Sequence, residues 1–355
     1  ALRGLAALSR ASGAKAPPRG RPTPRAPGQA RPPVNGTGQA GPQPTATAVR
    51  GLEALVRRSD PTAAIAEAKR MTFLFPASGP VFNLLGLALT KAGRFDDAHK
   101  AFVRYAELHP KSSAPRINQA NVLLAAGRFD AAAKTAAEAR ALDPKSARAA
   151  QLEGFALSKA GRHAAAETAF RAAIRLSPEA PQGHLGLGHV LTAAKRNTDA
   201  LAAYQAALAC DPTNAEAANN VGAMFVALNR LEEAVQVLGP AIEREPGNRM
   251  LRSNMAKALR DLDRAEEAIA HIDAALESAP EMVPLMATKI SCLNTIGDIE
   301  QAKELLARAT ALDPANVELQ IVRSQIDAKG FDSADRDRLA ATLADEGLPE
   351  KTRAT

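Results

Sequence analysis

The side chains able to do chemistry are few and scattered. The 355 residues include six histidines and two cysteines. His184 and His189 lie five apart, a spacing that does not set two imidazoles on one helical face for a shared metal. Cys210 and Cys292 form no CxxC and have no base arranged beside them, so they read as small buried hydrophobes. No GxxxxGK[ST] loop, HExxH or GxSxG occurs. What recurs is carboxamide: Asn118, Asn220 and Asn254 share one position of a repeating pattern. A carboxamide donates and accepts, which complements a peptide group. The chemistry on offer is recognition. The sequence predicts no catalytic residue, metal site or cofactor site in this chain.

The pattern that must position these residues is a ladder of prolines. Pro76, Pro110, Pro144, Pro178, Pro212, Pro246, Pro280 and Pro314 fall 34 residues apart, the mark of one stacked supersecondary unit. A divergent first pair, 45–78, holds helices at 49–58 and 62–75. Seven units follow at 79–112, 113–146, 147–180, 181–214, 215–248, 249–282 and 283–316, and a capping helix at 317–329 closes an array spanning 48–329. Ser112, Ser146, Asn214, Asn248 and Asn316 are expected to cap the first helix (A) of their units. Gly93, Gly127, Gly161, Gly297, Asn229 and Asp263 are expected to end helix A in a left-handed conformation. Ala98, Ala132, Ala166, Ala200, Ala234, Ala268 and Ala302 recur in the second helix (B), where it must cross helix A closely. Pro240 falls inside one B helix and is expected to kink it or shorten it by a turn.

Charge separates the array from what precedes it. Eight of the 45 basic residues lie within residues 1–50, which hold no acid, leaving 37 basic against 38 acidic residues beyond. The high isoelectric point is therefore no argument for nucleic-acid binding by the folded array. Residues 1–47 are rich in Pro, Gly and Arg and read as a disordered tether, starting from an upstream linker stub in preference to a transit peptide. No apolar run reaches the ~18 residues of a membrane span. Two cysteines in a chain of this length fit a reducing, cytoplasmic setting.

Phe82, Leu85, Gly86, Leu89, Ala98, Phe102 and Pro110 in one unit, and Leu187, Gly188, Leu191, Ala200, Tyr204, Ala207 and Pro212 in another, carry a resemblance to the tetratricopeptide repeat family. The resemblance covers about residues 45–329. It implies an all-α, right-handed α-solenoid of about eight helix-turn-helix units, whose concave face, lined by A helices, takes a protein or extended-peptide partner. The family's groove positions correspond to Asn121, Arg148, Gln151, Gln182, His189, Glu216, Asn219, Lys257 and Asn294, joined by Asn118, Asn220 and Asn254. The family's carboxylate clamp does not fit, because the partner position of Asn121 holds Ile117 where a lysine belongs.

Residues 330–355 resemble the bridge between repeats and catalytic domain in bacterial tetratricopeptide repeat sulfotransferases. That likeness implies a following domain that binds 3′-phosphoadenylyl sulfate, whose phosphate loop is not among these 355 residues. The chain's end, a few residues into a new helix start at 348–350, agrees with that expectation. Three readings stand at this point: the docking part of a sulfotransferase, a stand-alone adaptor, and the repeat region of an O-linked glycosyltransferase-like enzyme. The last needs a continuous asparagine ladder, which Leu152 and Gly186 interrupt.

Overall fold

The computed structural model describes residues 42–58 and 60–326. Most of the predicted tether, the last turn of the predicted capping helix and the 330–355 bridge lie outside these residues. Every regular element described is a helix, seventeen in all, divided between two compact units. The first unit, ending at Leu176, holds α1 (Ala46–Arg57), α2 (Thr62–Leu74), α3 (Gly79–Lys91), α4 (Phe95–Leu108), α5 (Ala114–Ala125), α6 (Phe129–Leu142), α7 (Ala147–Lys159) and α8 (His163–Leu176). The second, starting at Ser177, holds α9 (Pro181–Ala193), α10 (Asn197–Cys210), α11 (Ala215–Ala227), α12 (Leu231–Arg244), α13 (Arg249–Asp261), α14 (Ala265–Leu276), α15 (Val283–Ile296), α16 (Ile299–Leu312) and α17 (Val317–Ile326). Within each unit the pairs stack as a right-handed α-solenoid. Odd-numbered helices are the A helices and even-numbered ones the B helices. The first helix begins at Ala46, three residues before the expected start at 49, because Thr45 caps it by accepting from the Ala48 N–H.

The caps and stops follow from side-chain chemistry. Ser146, Asn214, Asn248 and Asn316 each accept from backbone N–H groups of the helix that follows. Ser112 caps weakly: its Oγ accepts only from the Ala114 N–H, at 3.4 Å, because Pro115, three residues on, has no N–H to donate; helix α5 starts at Ala114, after Ser113. Gly93, Gly127, Gly161 and Gly297 have φ between 70° and 82°, and Asn229 and Asp263 take 57° and 58°. In the 181–214 unit Lys195 fills that place, at φ 58°. Pro240 neither ends nor shortens its helix: α12 runs fourteen residues through it, like the other B helices α10 and α16. Its neighbours Leu238 and Ala241 are buried, and that packing holds the turn where one backbone bond is missing.

Small residues let the helices close on each other. Ala98, Ala132, Ala166, Ala200, Ala234, Ala268 and Ala302 are all fully buried. A second register pairs a residue of helix A with one of helix B sixteen positions on. A Cβ added to Gly86, Gly154, Gly188 or Gly222 would lie within 3 Å of Phe102, Phe170, Tyr204 or Leu238 respectively. Elsewhere the volume is shared differently, as Ala256 with Ile272 and Ile290 with Leu306. Ala120 and Ala136 leave a deficit at this register, and Leu152 of the next repeat packs into that cluster.

Candidate partner-binding face

The A helices form the inner layer. Within the units, α1 packs on α3, α5 on α7, α11 on α13, α13 on α15 and α15 on α17, whereas successive B helices come no closer than passing contact among the described residues. Side chains of the A helices that point away from the B layer therefore line the inner face.

In the first unit this face carries an amide pair. Asn118 on α5 donates through Nδ2 to Asn83 Oδ1 on α3 at 2.7 Å. Asn121 donates to the Ile117 carbonyl at 2.9 Å, and its Oδ1 accepts from Arg148 on α7 at 3.4 Å. Gln151, also on α7, is only 8% exposed and makes no side-chain hydrogen bond among the described residues. In the second unit Asn254 on α13 donates to Asn219 Oδ1 on α11 at 2.9 Å. Asn220 Nδ2 lies 3.2 Å from His189 Nε2 on α9, and the Glu216 carboxylate lies 3.9 Å from the same nitrogen. Gln182, Lys257 and Asn294 make no side-chain hydrogen bond or ion pair among the described residues.

His189 is positioned from below. Its ring meets Tyr204 of α10 edge-on, centroids 5.5 Å apart. The Tyr204 hydroxyl bonds Thr192 Oγ1 at 3.2 Å, and Thr192 in turn donates to the Gly188 carbonyl. Burial pushes the Tyr204 hydroxyl up to about 12, with Glu216 adding to the rise and the Thr192 bond opposing it. The phenol stays protonated and serves as a support. Sequence reasoning missed Asn83, Thr192 and Tyr204 as parts of this face. Asn83 was findable, since it stands four periods of 34 before Asn219.

The other candidates have structural roles. His184 bonds the Pro178 carbonyl at 2.9 Å, and Cys210 donates to the same oxygen. Burial raises the pKa of both thiols, so neither is primed as a nucleophile. No three His, Cys, Asp or Glu residues among those described gather around a common point. No helix among the described residues is long and apolar enough to cross a membrane.

Tetratricopeptide repeat profiles match residues 51–113 and 152–215, 89–154, 225–291 and 261–326, and 203–236, which together run from 51 to 326. This chain belongs to the tetratricopeptide repeat family. Solved structures of similar fold include the APC/C hetero-tetramer Cut9–Hcn1, at 15% identity and a TM-score of 0.56 over 79% of this chain and 55% of that one. The tetratricopeptide array thus spans about half the length of that chain. PilW, a type IV pilus biogenesis factor, aligns with 59% of the array's chain and 97% of its own, at 19% identity and a TM-score of 0.53. A tetratricopeptide repeat protein from Parabacteroides merdae ATCC 43184 aligns over 70% and 98%, at 12% identity and a TM-score of 0.52. At these identities the likeness is one of fold. A search of the curated proteins found no match.

Proposed function

We infer that this tetratricopeptide repeat array is a non-enzymatic binding scaffold that holds an extended segment of a protein partner against its inner face. The observation that carries this reading is the polar lining of the A helices. Asn118, Asn121, Asn219, Asn220 and Asn254 bond across or along neighbouring A helices, while Gln182, Lys257 and Asn294 have no polar partner among the described residues. Arg148, Gln151, His189 and Glu216 complete the lining. A surface of amides with few charges suits main-chain recognition more than recognition of one charged side chain. Cut9–Hcn1 is a protein complex built on the same fold, which supports a protein partner. The domain boundaries proposed from sequence, with a tether before 48 and a bridge after 329, place the array between two connecting segments.

A narrower version rests on the likeness of residues 330–355 to the sulfotransferase bridge: the array would then dock acceptor proteins for a catalytic domain using 3′-phosphoadenylyl sulfate. The glycosyltransferase reading has less support, because Leu152 is buried in packing where a ladder amide would stand.

The test is capture of a partner by the immobilised chain. Asn220→Ala with Asn254→Ala should cut capture about tenfold or more, the expected result of losing two ligand hydrogen bonds, with little shift of the melting midpoint. Gln205→Ala with Gln236→Ala, in the 370 Å³ cleft between α10, α11 and α12, should leave capture unchanged. Equal loss in both variants, or loss in neither, would remove the inner-face assignment.

A further inference from the structure

We propose that the cleft between α10, α11 and α12 docks the tryptophan side chain of a protein partner, held by a backbone carbonyl that Pro240 leaves open. The cleft lies in the B layer of the second unit, so the inference stands apart from the inner-face reading.

Two B helices, α10 and α12, form the walls, and α11 forms the floor. Leu208, Val221, Phe225 and Val237 make the lining largely apolar. Its volume of 370 Å³ lies at the low end of small-ligand sites, about 300–1,000 Å³, and suits one ring system. The one charged side chain of the lining, Glu233, is already paired with Arg230, so the cleft offers no free charge to a cation.

Pro240 adds an acceptor. It lies inside α12 and has no N–H, so the Gln236 carbonyl, four residues back, lacks the donor a helix normally supplies. Glu233, Gln236, Val237 and Pro240 follow at helical spacing along one face, and the first three line the cleft. The open carbonyl therefore lies on the cleft side of α12. The two residues of the next turn do little to cover it: Pro240 is exposed, and Gly239 has no side chain, a Cβ there meeting only Met255 Cε at 4.0 Å. The fold does not ask for this proline. The corresponding position holds Arg, Glu or Ala in every other repeat, and proline is the least favourable residue in a helix interior. A backbone acceptor beside an apolar cleft matches a flat apolar ring with one donor. Indole is that ring: its N–H donates and it has no acceptor to satisfy, whereas a phenol brings an acceptor as well. A cleft open to solvent admits the ring edge-first and leaves its attachment outside, as for a tryptophan anchoring one protein on another.

The test titrates N-acetyl-L-tryptophanamide with the full chain. The chain contains no tryptophan, so indole emission reports the probe alone. The emission should move to shorter wavelength along a saturable curve. The same probe methylated at the indole nitrogen has no ring N–H and should bind about tenfold more weakly. Pro240→Ala returns an N–H to the Gln236 carbonyl. It should weaken binding about tenfold while raising the melting midpoint, an opposition that a purely structural role of the proline would not produce. Gly239→Ala favours the same helical turn without closing the carbonyl and should leave binding unchanged. Asn220→Ala with Asn254→Ala, on the inner face, should also leave it unchanged. No saturable shift, equal binding of the methylated probe, undiminished binding by Pro240→Ala, or equal weakening by Gly239→Ala would overturn the proposal. Tighter binding of free indole than of the amide would make the ligand a small indole compound and overturn the assignment to a partner's side chain.

Discussion

Replacing Gly188 by alanine should destabilise the second unit, although alanine is the better helix former by about 1 kcal/mol. The added Cβ would lie 2.4 Å from Tyr204 Cε1 and 2.6 Å from Cδ1. Ordinary carbon contacts are about 3.5–4 Å, so the ring would have to withdraw by more than an ångström. It has little freedom to do so. Tyr204 is 2% exposed, its hydroxyl holds Thr192, and its ring packs against that of His189 with centroids 5.5 Å apart. Overpacking of this kind costs about 1–3 kcal/mol, and a strained Tyr204–Thr192 bond adds about 1 kcal/mol. The net loss of about 1–3 kcal/mol corresponds to a fall of about 2–10 °C in the melting midpoint, read by circular dichroism. Gly51→Ala is the matched control: Gly51 lies exposed in α1 with nothing within 4 Å of a new Cβ, so alanine there should stabilise. A further variant, Gly188→Ala with Tyr204→Ile, reproduces the Ala256/Ile272 pair and should recover most of the loss. A rise in melting midpoint for Gly188→Ala matching that of Gly51→Ala would refute the close-approach argument.

Two other outcomes are expected. Leu152→Asn restores an amide to the interrupted ladder but empties the space beside Ala120 and Ala136 and buries a carboxamide. It should cost about 3–5 kcal/mol in urea unfolding, and a near-neutral result would show that the cluster is not packed as described. Burial, aided by Arg128 at His99 and by Arg252 at His271, holds both imidazoles below the usual histidine range. The unfolded chain then takes up protons that the folded chain refuses. Their contribution is full above about pH 6.5 and falls away as pH drops through the lowered folded values. His99→Gln with His271→Gln should flatten the fall in melting midpoint between about pH 7 and 5, and an unaltered slope would locate the acid sensitivity elsewhere.

The helix pairs were legible because their cause repeats. Each ladder proline, each left-handed glycine and each buried alanine acts inside its own unit, and a 34-residue period exposes all of them at once. What escaped depends on exceptions or on partners in another unit. Lys195 adopts φ 58° where a lysine is not expected, carried by the same backbone bonds that end the other A helices. Ser112 has the right side chain for a cap, but Pro115 removes the donor three residues on and leaves it the Ala114 N–H alone. The arginines at 94, 128, 162, 196, 230 and 264 form a ladder as regular as the prolines. Arg94, Arg196, Arg230 and Arg264 pair with an acid three residues on, while Arg128 reaches back to Asp96. Such exposed pairs contribute little to stability, so the regularity alone gave no reason to single them out. The inner-face candidates were named one at a time. Which amide meets which, and that Asn83 belongs with Asn118, follows only once neighbouring A helices are in contact.

Nearest-neighbour stacking gives those junctions their meaning. Stability in such an array is close to a sum over repeats and their interfaces, so each interface can change without rebuilding the rest. The junction positions within the units show that freedom: Ile117 with Leu152 is apolar, Leu185 with Asn220 is mixed, and Asn83 with Asn118 and Asn219 with Asn254 are paired amides. An amide pair gains about 1 kcal/mol from its hydrogen bond, whereas a buried leucine contributes about 1.5–3 kcal/mol by leaving water. Packing alone would therefore favour the apolar solution at every junction. The two paired-amide junctions forgo that gain, and the array tolerates it because each interface adds to its neighbours' stability without determining it.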